Sequence, residues 1–159
     1  MHNKIRIIEL DTIDVAILRQ LQADARLSNQ DLAARIGLSP SACLRRVRLL
    51  EESGLIAGSA VILDQRACGL PGTAFVFIAL DQQGRQALDR FEQAVRTMPE
   101  ILECHLLAGQ SDYMVRVVYS DAGDLERIHT EVLTQLPHVM RVQSTLSLRT
   151  VKKTTALPI

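Results

Sequence analysis

A chain of 159 residues with 18 basic and 18 acidic side chains has room for one or two small domains with a real core. Zero net charge excludes a protein that coats nucleic acid over its whole surface, although Ser39 to Leu50 holds three arginines and no acid, a local basic signal. Three cysteines, Cys43, Cys68 and Cys104, without CxxC spacing exclude a disulfide framework or a zinc finger.

In chain order, residues 1–9 read as a frayed arm, with Ile5, Ile7 and Ile8 available to pack on a neighbour. Lys4, Arg6 and Glu9 interrupt this apolar run, so it carries no signal pattern. Nothing in the chain approaches the roughly 20 apolar residues of a membrane helix, and a reducing cytoplasm is the expected location. A helix starts at Asp11, with Asp14 at its third position and Leu10 and Val15 as a hydrophobic staple. Ile13, Ile17, Leu18 and Leu21 form its buried stripe.

Ser28 caps a second helix, Asp31 stands three residues on, and Gly37 ends it in the left-handed conformation. Ser39 caps a third helix at once, with Pro40 at its first position. Cys43, Val47 and Leu50 share one face, while Arg45, Arg46 and Arg48 point elsewhere, and Gly54 is the stop. Two short helices joined by a three-residue turn are a helix-turn-helix signature. Residues 55–63, LIAGSAVIL, are an extended segment suited to a wing or a connecting strand. Gln65 to Gly72, with two glycines and a proline, reads as a linker.

The second half contains a repeat. Strand-like Phe75 to Leu80 matches Tyr113 to Val118, and Met98-Pro99-Glu100-Ile101 matches Leu136-Pro137-His138-Val139, both at an offset of 38 (113 − 75; 137 − 99). Between them lie helices with stripes Leu88, Phe91, Val95, Met98 and Leu125, Ile128, Val132, Leu136, the second with Asp121 and Asp124 as cap and third position. Strands follow at Ile101 to Leu107 and Val139 to Leu148. The order β-α-β-β-α-β predicts a ferredoxin-like antiparallel sheet with both helices on one face. Phe75, Phe77 and Ala79 oppose Val76, Ile78 and Leu80, so both sheet faces are apolar, and the uncovered one predicts at least a dimer.

The whole chain therefore resembles the Lrp/AsnC (feast/famine) transcriptional regulators. The resemblance is carried by Leu10-Asp11-Thr12-Ile13-Asp14, Ala25-Arg26-Leu27-Ser28, Gly37-Leu38-Ser39-Pro40, Arg46-Val47, Leu50-Glu51 and Gly54-Leu55-Ile56. It continues in Glu103-Cys104-His105, Gly109-Gln110-Ser111-Asp112-Tyr113, Leu136-Pro137 and the tail Lys152 to Pro158. It implies an α+β chain, with an N-terminal winged helix-turn-helix domain (1–63), a linker (64–73), a ferredoxin-like βαββαβ sandwich domain for effector binding and oligomerisation (74–153), and a tail (154–159). It also implies dimers that assemble further, commonly to octamers, with a small amino-acid effector bound where dimers meet. Ser111 departs from many relatives, which carry an aromatic residue there.

The candidate double-stranded DNA contacts are Ser28, Asn29, Ser39, Pro40, Ser41, Ala42, Leu44, Arg45, Arg46 and Arg48. Serines and the helix start would meet operator phosphates, Arg45 or Arg46 guanine edges, and Arg48 a phosphate. The candidate effector site is Leu107, Ala108, Gly109, Gln110, Ser111, Asp112 and Tyr113 with Gln143 and Ser144. Asp112 would pair the ligand ammonium, and backbone N–H groups with Ser144 would hold its carboxylate. The same loop also reads as a plain hairpin turn, with Gly109 for positive φ and Asp112 bonding its own backbone.

No catalytic, cofactor or metal site is expected, since alternation puts Cys104 and His105 on opposite faces of their strand. The competing reading is an enzyme of the same architecture, resembling a sirohaem decarboxylase subunit. The arginine cluster favours the regulator.

Overall fold

The computed structural model describes residues 9–159, so the expectation for Ile5, Ile7 and Ile8 lies outside the described residues. The chain folds as two units, the first Met1–Val61 with Lys152–Ile159, the second Ile62–Val151.

Helix boundaries in the first unit follow from the caps. Asp11 accepts from the Asp14 N–H and starts α1 (Thr12–Ala23). Ser28 accepts from the Asp31 N–H and donates its hydroxyl to the Asp31 carboxylate at 2.6 Å, starting α2 (Asn29–Ile36). Gly37 closes α2 at φ 70°, a conformation that costs a side-chain-bearing residue about 1–2 kcal/mol. Ser39 caps α3 (Pro40–Glu52), whose first position is the expected proline. Ile17, Leu18, Leu32, Ala33, Cys43 and Leu50 form the core of this unit.

Residues 57–64 carry no strand ladder within the chain, and Val61, Ile62 and Leu63 are exposed. The expected linker is a folded turn. Its Gln65 carboxamide donates to the carbonyls of Leu70 and Gly72, at 2.7 and 3.0 Å, and lies 3.0 Å from the Thr73 hydroxyl.

The second unit is built from β1 (Gly72–Leu80), α4 (Arg85–Val95), β2 (Ile101–Leu106), β3 (Tyr113–Tyr119), α5 (Ala122–Arg127) and β4 (Val139–Leu146). The sheet order β2-β3-β1-β4, antiparallel throughout, is the ferredoxin-like arrangement. Ala74, Val76, Ile78, Leu80, Tyr113, Val115 and Val117 point to the helix side and pack with Phe91, Val95, Ile128, Leu133 and Leu136. Phe75, Phe77 and Met114 alternate to the other face, outside that core. There Arg116, cross-strand from Phe75, pairs with Glu103 at 2.7 Å.

The repeat is not gapless. Helix α5 begins 37 residues after α4 (122 − 85), whereas the prolines stand 38 apart (137 − 99). The extra residue is taken up by a π-helical turn at Ile128–Val132, followed by a 3₁₀ turn at Leu133–Gln135. An i→i+5 turn holds one residue more than an α turn, so Leu133 and Leu136 return to the core.

Candidate nucleic-acid interface and effector loop

On α3 the buried stripe is Cys43, Val47 and Leu50, and the opposite face is defined by spacing. Ser41, Leu44, Arg45 and Arg48 fall at i, i+3, i+4 and i+7, and all four are exposed. No acid stands between Ser39 and Leu50, and the face meets its first carboxylate one turn past Arg48 at Glu52. Neither Arg45 nor Arg48 makes an ion pair among the described residues. At the helix start Ser39 accepts from the Ala42 N–H and lies 3.3 Å from the Ser41 hydroxyl, beside the exposed ring of Pro40. Ser28 is spent on its own cap. Asn29 donates to the Pro40 carbonyl at 2.8 Å, which locks the start of α2 to the start of α3, and its Oδ1 is buried with no partner.

Arg46 is the correction in this set. Its guanidinium sits 2.7 Å from both Asp11 and Asp14, so it ties α3 to α1 instead of facing outward. The Asp14 N–H and the Arg46 guanidinium hold the Asp11 carboxyl below its ordinary range. A signal was present in the spacing: Arg46 is three residues past Cys43 and four before Leu50, on the buried side of the helix.

In the second unit the loop Leu107–Asp112 joins β2 to β3. The Leu107 N–H donates to the Asp112 carbonyl at 2.8 Å, and the Asp112 N–H donates to the Ile78 carbonyl at 2.9 Å. The Asp112 carboxylate accepts from the Leu80 N–H at 2.7 Å and from Gln83 at 2.8 Å. Asp112 is thus a clamp that shapes the loop, and Gln83 is a partner that sequence reasoning missed. Leu107, Ala108, Gly109 and Gln110 are exposed, and Ser111 is half-buried.

Tyr113 does not belong with them. It is 1% exposed in the core, its ring 4.4 Å from that of Phe91, and its hydroxyl donates to Glu92 at 2.9 Å. Burial, with Glu92 beside it, pushes the phenol above its ordinary value.

Gln143 and Ser144 stand opposite Phe77 and Val76 and so point to opposite faces of the sheet. Ser144 lines an open groove of about 310 Å³ with Ala122, Leu125, Glu126, His129 and Thr130. Strand spacings separate it from the Asp112 loop by roughly 14 Å, so one chain does not bring the two parts together. Cys104 packs toward the core, and His105 turns to the other face beside Glu103, as alternation requires.

Family comparison bears on both units. A model described as "Winged helix-turn-helix DNA-binding" matches residues 10–57, and one described as "Lrp/AsnC ligand binding domain" matches residues 73–157. The chain belongs to the Lrp/AsnC family. A Bkd operon transcriptional regulator of Pseudomonas aeruginosa is 39% identical over 95% of this chain and 99% of its own length. The transcriptional regulator AzlB of Bacillus subtilis is 38% identical over 96% and 97%. A transcriptional regulator of Neisseria meningitidis, solved in complex with L-Met, superposes with a TM-score of 0.90 at 34% identity, covering 94% of this chain and 97% of that one. Helices α1 to α3 are therefore the DNA-binding domain of an Lrp/AsnC transcriptional regulator, and the sheet unit is its ligand-binding domain. Among the described residues no helix is long and apolar enough to cross a membrane.

Proposed function

We propose that the protein binds a pseudo-palindromic operator as a dimer or larger assembly and releases or reshapes that complex when a small amino acid binds between dimers. The observation that carries the DNA reading is the outward stripe Ser41, Leu44, Arg45 and Arg48 on α3, whose two arginines are exposed and make no ion pair among the described residues. Arg45 reads a guanine edge, a bidentate contact worth about 1–3 kcal/mol of discrimination, and Arg48 and the Ser39–Ser41 helix start hold phosphates. Two-fold symmetry then sets recognition helices about 34–36 Å apart, or a multiple of it.

The Phe75, Phe77 and Met114 face of the sheet, which no helix covers, supports association with a second copy, with the Arg116–Glu103 pair toward its β2 edge. Further assembly of dimers, to octamers, presents the Leu107–Ser111 loop of one protomer to another. Because Ser144 stands apart from that loop within one chain, a site between dimers draws the two parts from different protomers. Asp112 acts through the loop it clamps, and the free backbone groups of residues 108–111 face the ligand. The L-Met held by the Neisseria relative supports an amino acid as effector. A cytoplasmic location accords with three free cysteines. The outward arginines favour this reading over an enzyme.

Thermal-shift screening with the twenty amino acids, followed by sedimentation with any that binds, tests the effector. At least one raises Tm and changes oligomer size or DNA bending. Twenty null results in both measurements would overturn the amino-acid assignment. Asp112→Ala removes the response while leaving effector-free operator affinity intact, and Gln83→Ala weakens it.

A further inference from the structure

The chain leaves the first unit after Val61 and rejoins it at Lys152. The returning segment is held on α1 by main-chain recognition. The Gln22 carboxamide takes both backbone groups of Leu157: its Oε1 accepts the Leu157 N–H at 2.5 Å, and its Nε2 donates to the Leu157 carbonyl at 3.2 Å. Only Asn and Gln side chains present an uncharged donor and acceptor side by side in this way. One turn earlier on the same face, Arg19 donates to the Ile159 carbonyl at 2.7 Å. The segment is shaped for this contact: Ala156 N–H bonds the Thr154 hydroxyl, and Ile159 N–H bonds the Leu157 carbonyl. Arg19 and Gln22 serve neither the α1–α3 ion pairs nor the first unit's core.

We propose that residues 154–159 are a strap that gives the DNA-binding unit a second tether to the ligand-binding unit, fastened on α1 by hydrogen bonds. The first tether is the chain between Val61 and β1, and the second runs from β4 to Leu157. A unit held at two points samples less space than one on a single linker. In a dimer this raises the effective concentration of the second unit at its half-site once the first is bound. The inference rests on the reading that paired units engage spaced half-sites. The strap acts on that second event alone, not on the contact between α3 and DNA.

The test uses the full chain and two duplexes, one carrying two copies and one a single copy of the half-site selected from random-sequence DNA. Gln22→Leu deletes both hydrogen bonds to Leu157, and Leu157→Pro independently deletes the donor N–H. Both variants bind the single half-site like the wild type and lose about tenfold on the two-site duplex. Trypsin cleavage after Lys153 is faster in both, which reports release of the segment. Faster cleavage with unchanged two-site affinity would overturn the strap. An equal loss on both duplexes would reduce the contact to a stabilising one and overturn it as well. Unchanged cleavage would show that Gln22 does not hold the segment. A wild type that binds neither duplex would instead overturn the DNA reading on which the inference rests.

Discussion

Arg46 and Arg45 are adjacent and chemically identical, yet the fold gives them different work. Arg46→Ala removes two 2.7 Å ion pairs, so it should lower the melting temperature of the first unit. Folded Arg46→Ala keeps the wild-type salt dependence of DNA binding. Phe91→Ala, at a fully buried site against Tyr113, should cost about 3–5 kcal/mol by denaturant unfolding. Asp11 and Glu103 are both held below the ordinary carboxylate range in the folded state, the first by the Asp14 N–H and Arg46, the second by Arg116. The stability they add is therefore full above the unfolded carboxylate value and is lost as pH falls through the folded values. Acid titration by circular dichroism should show that loss below about pH 4, and Asp11→Asn should flatten it. Burial, with Glu92, pushes the Cys104 thiol up to about 11, so iodoacetamide at pH 8 should modify exposed Cys68 well before Cys104. At this scale the sequence discloses whatever is local. The caps at Asp11, Ser28, Ser39 and Asp121 each bond three residues ahead and are legible from spacing. The Arg46 pairs span 32 and 35 residues and are not.

Elements follow their periodicity, and the misreadings have identifiable physical causes. Gln65–Gly72 has the composition of a linker, but composition does not show that one carboxamide will gather two carbonyls and a threonine hydroxyl. Asp121, Leu125 and Ile128 place the second repeat helix correctly. Its π turn is visible only as a stripe spaced 3, 4, 4 where the first helix has 3, 4, 3. This predicts an asymmetry between the repeats. Deleting exposed Thr130 lets α5 continue as a regular helix in the register of α4, whereas deleting exposed Gln93 rotates Val95 out of the core. The Thr130 deletion should melt cooperatively near the wild-type temperature, and the Gln93 deletion many degrees lower. Equal losses would show that the π turn does not absorb the extra residue.

For the whole molecule, one unit is the DNA-binding domain and the other the ligand-binding domain, and the proposed dimer rests on the open sheet face. Replacing Phe77 with Glu places a charge opposite Met114 and Gln143 on that face, and sedimentation should then show monomers with the fold retained. That β1 carries apolar residues on both faces was legible from the sequence, and the proposal of a partner rests on it. The separation of Ser144 from the Asp112 loop was not legible, because strand order places them, not spacing in the chain. The central claim is that the outward stripe of α3 meets DNA. It is tested most directly by measuring the affinity of the wild type, Arg45→Ala, Arg46→Ala and Arg48→Ala for one selected duplex across a salt series. Arg48→Ala should weaken binding and reduce the log–log salt slope by about one. Arg45→Ala should lose about 1–3 kcal/mol and relax preference at one base pair, and Arg46→Ala should keep the wild-type slope. Wild-type affinity and slope in both Arg45→Ala and Arg48→Ala would contradict the account.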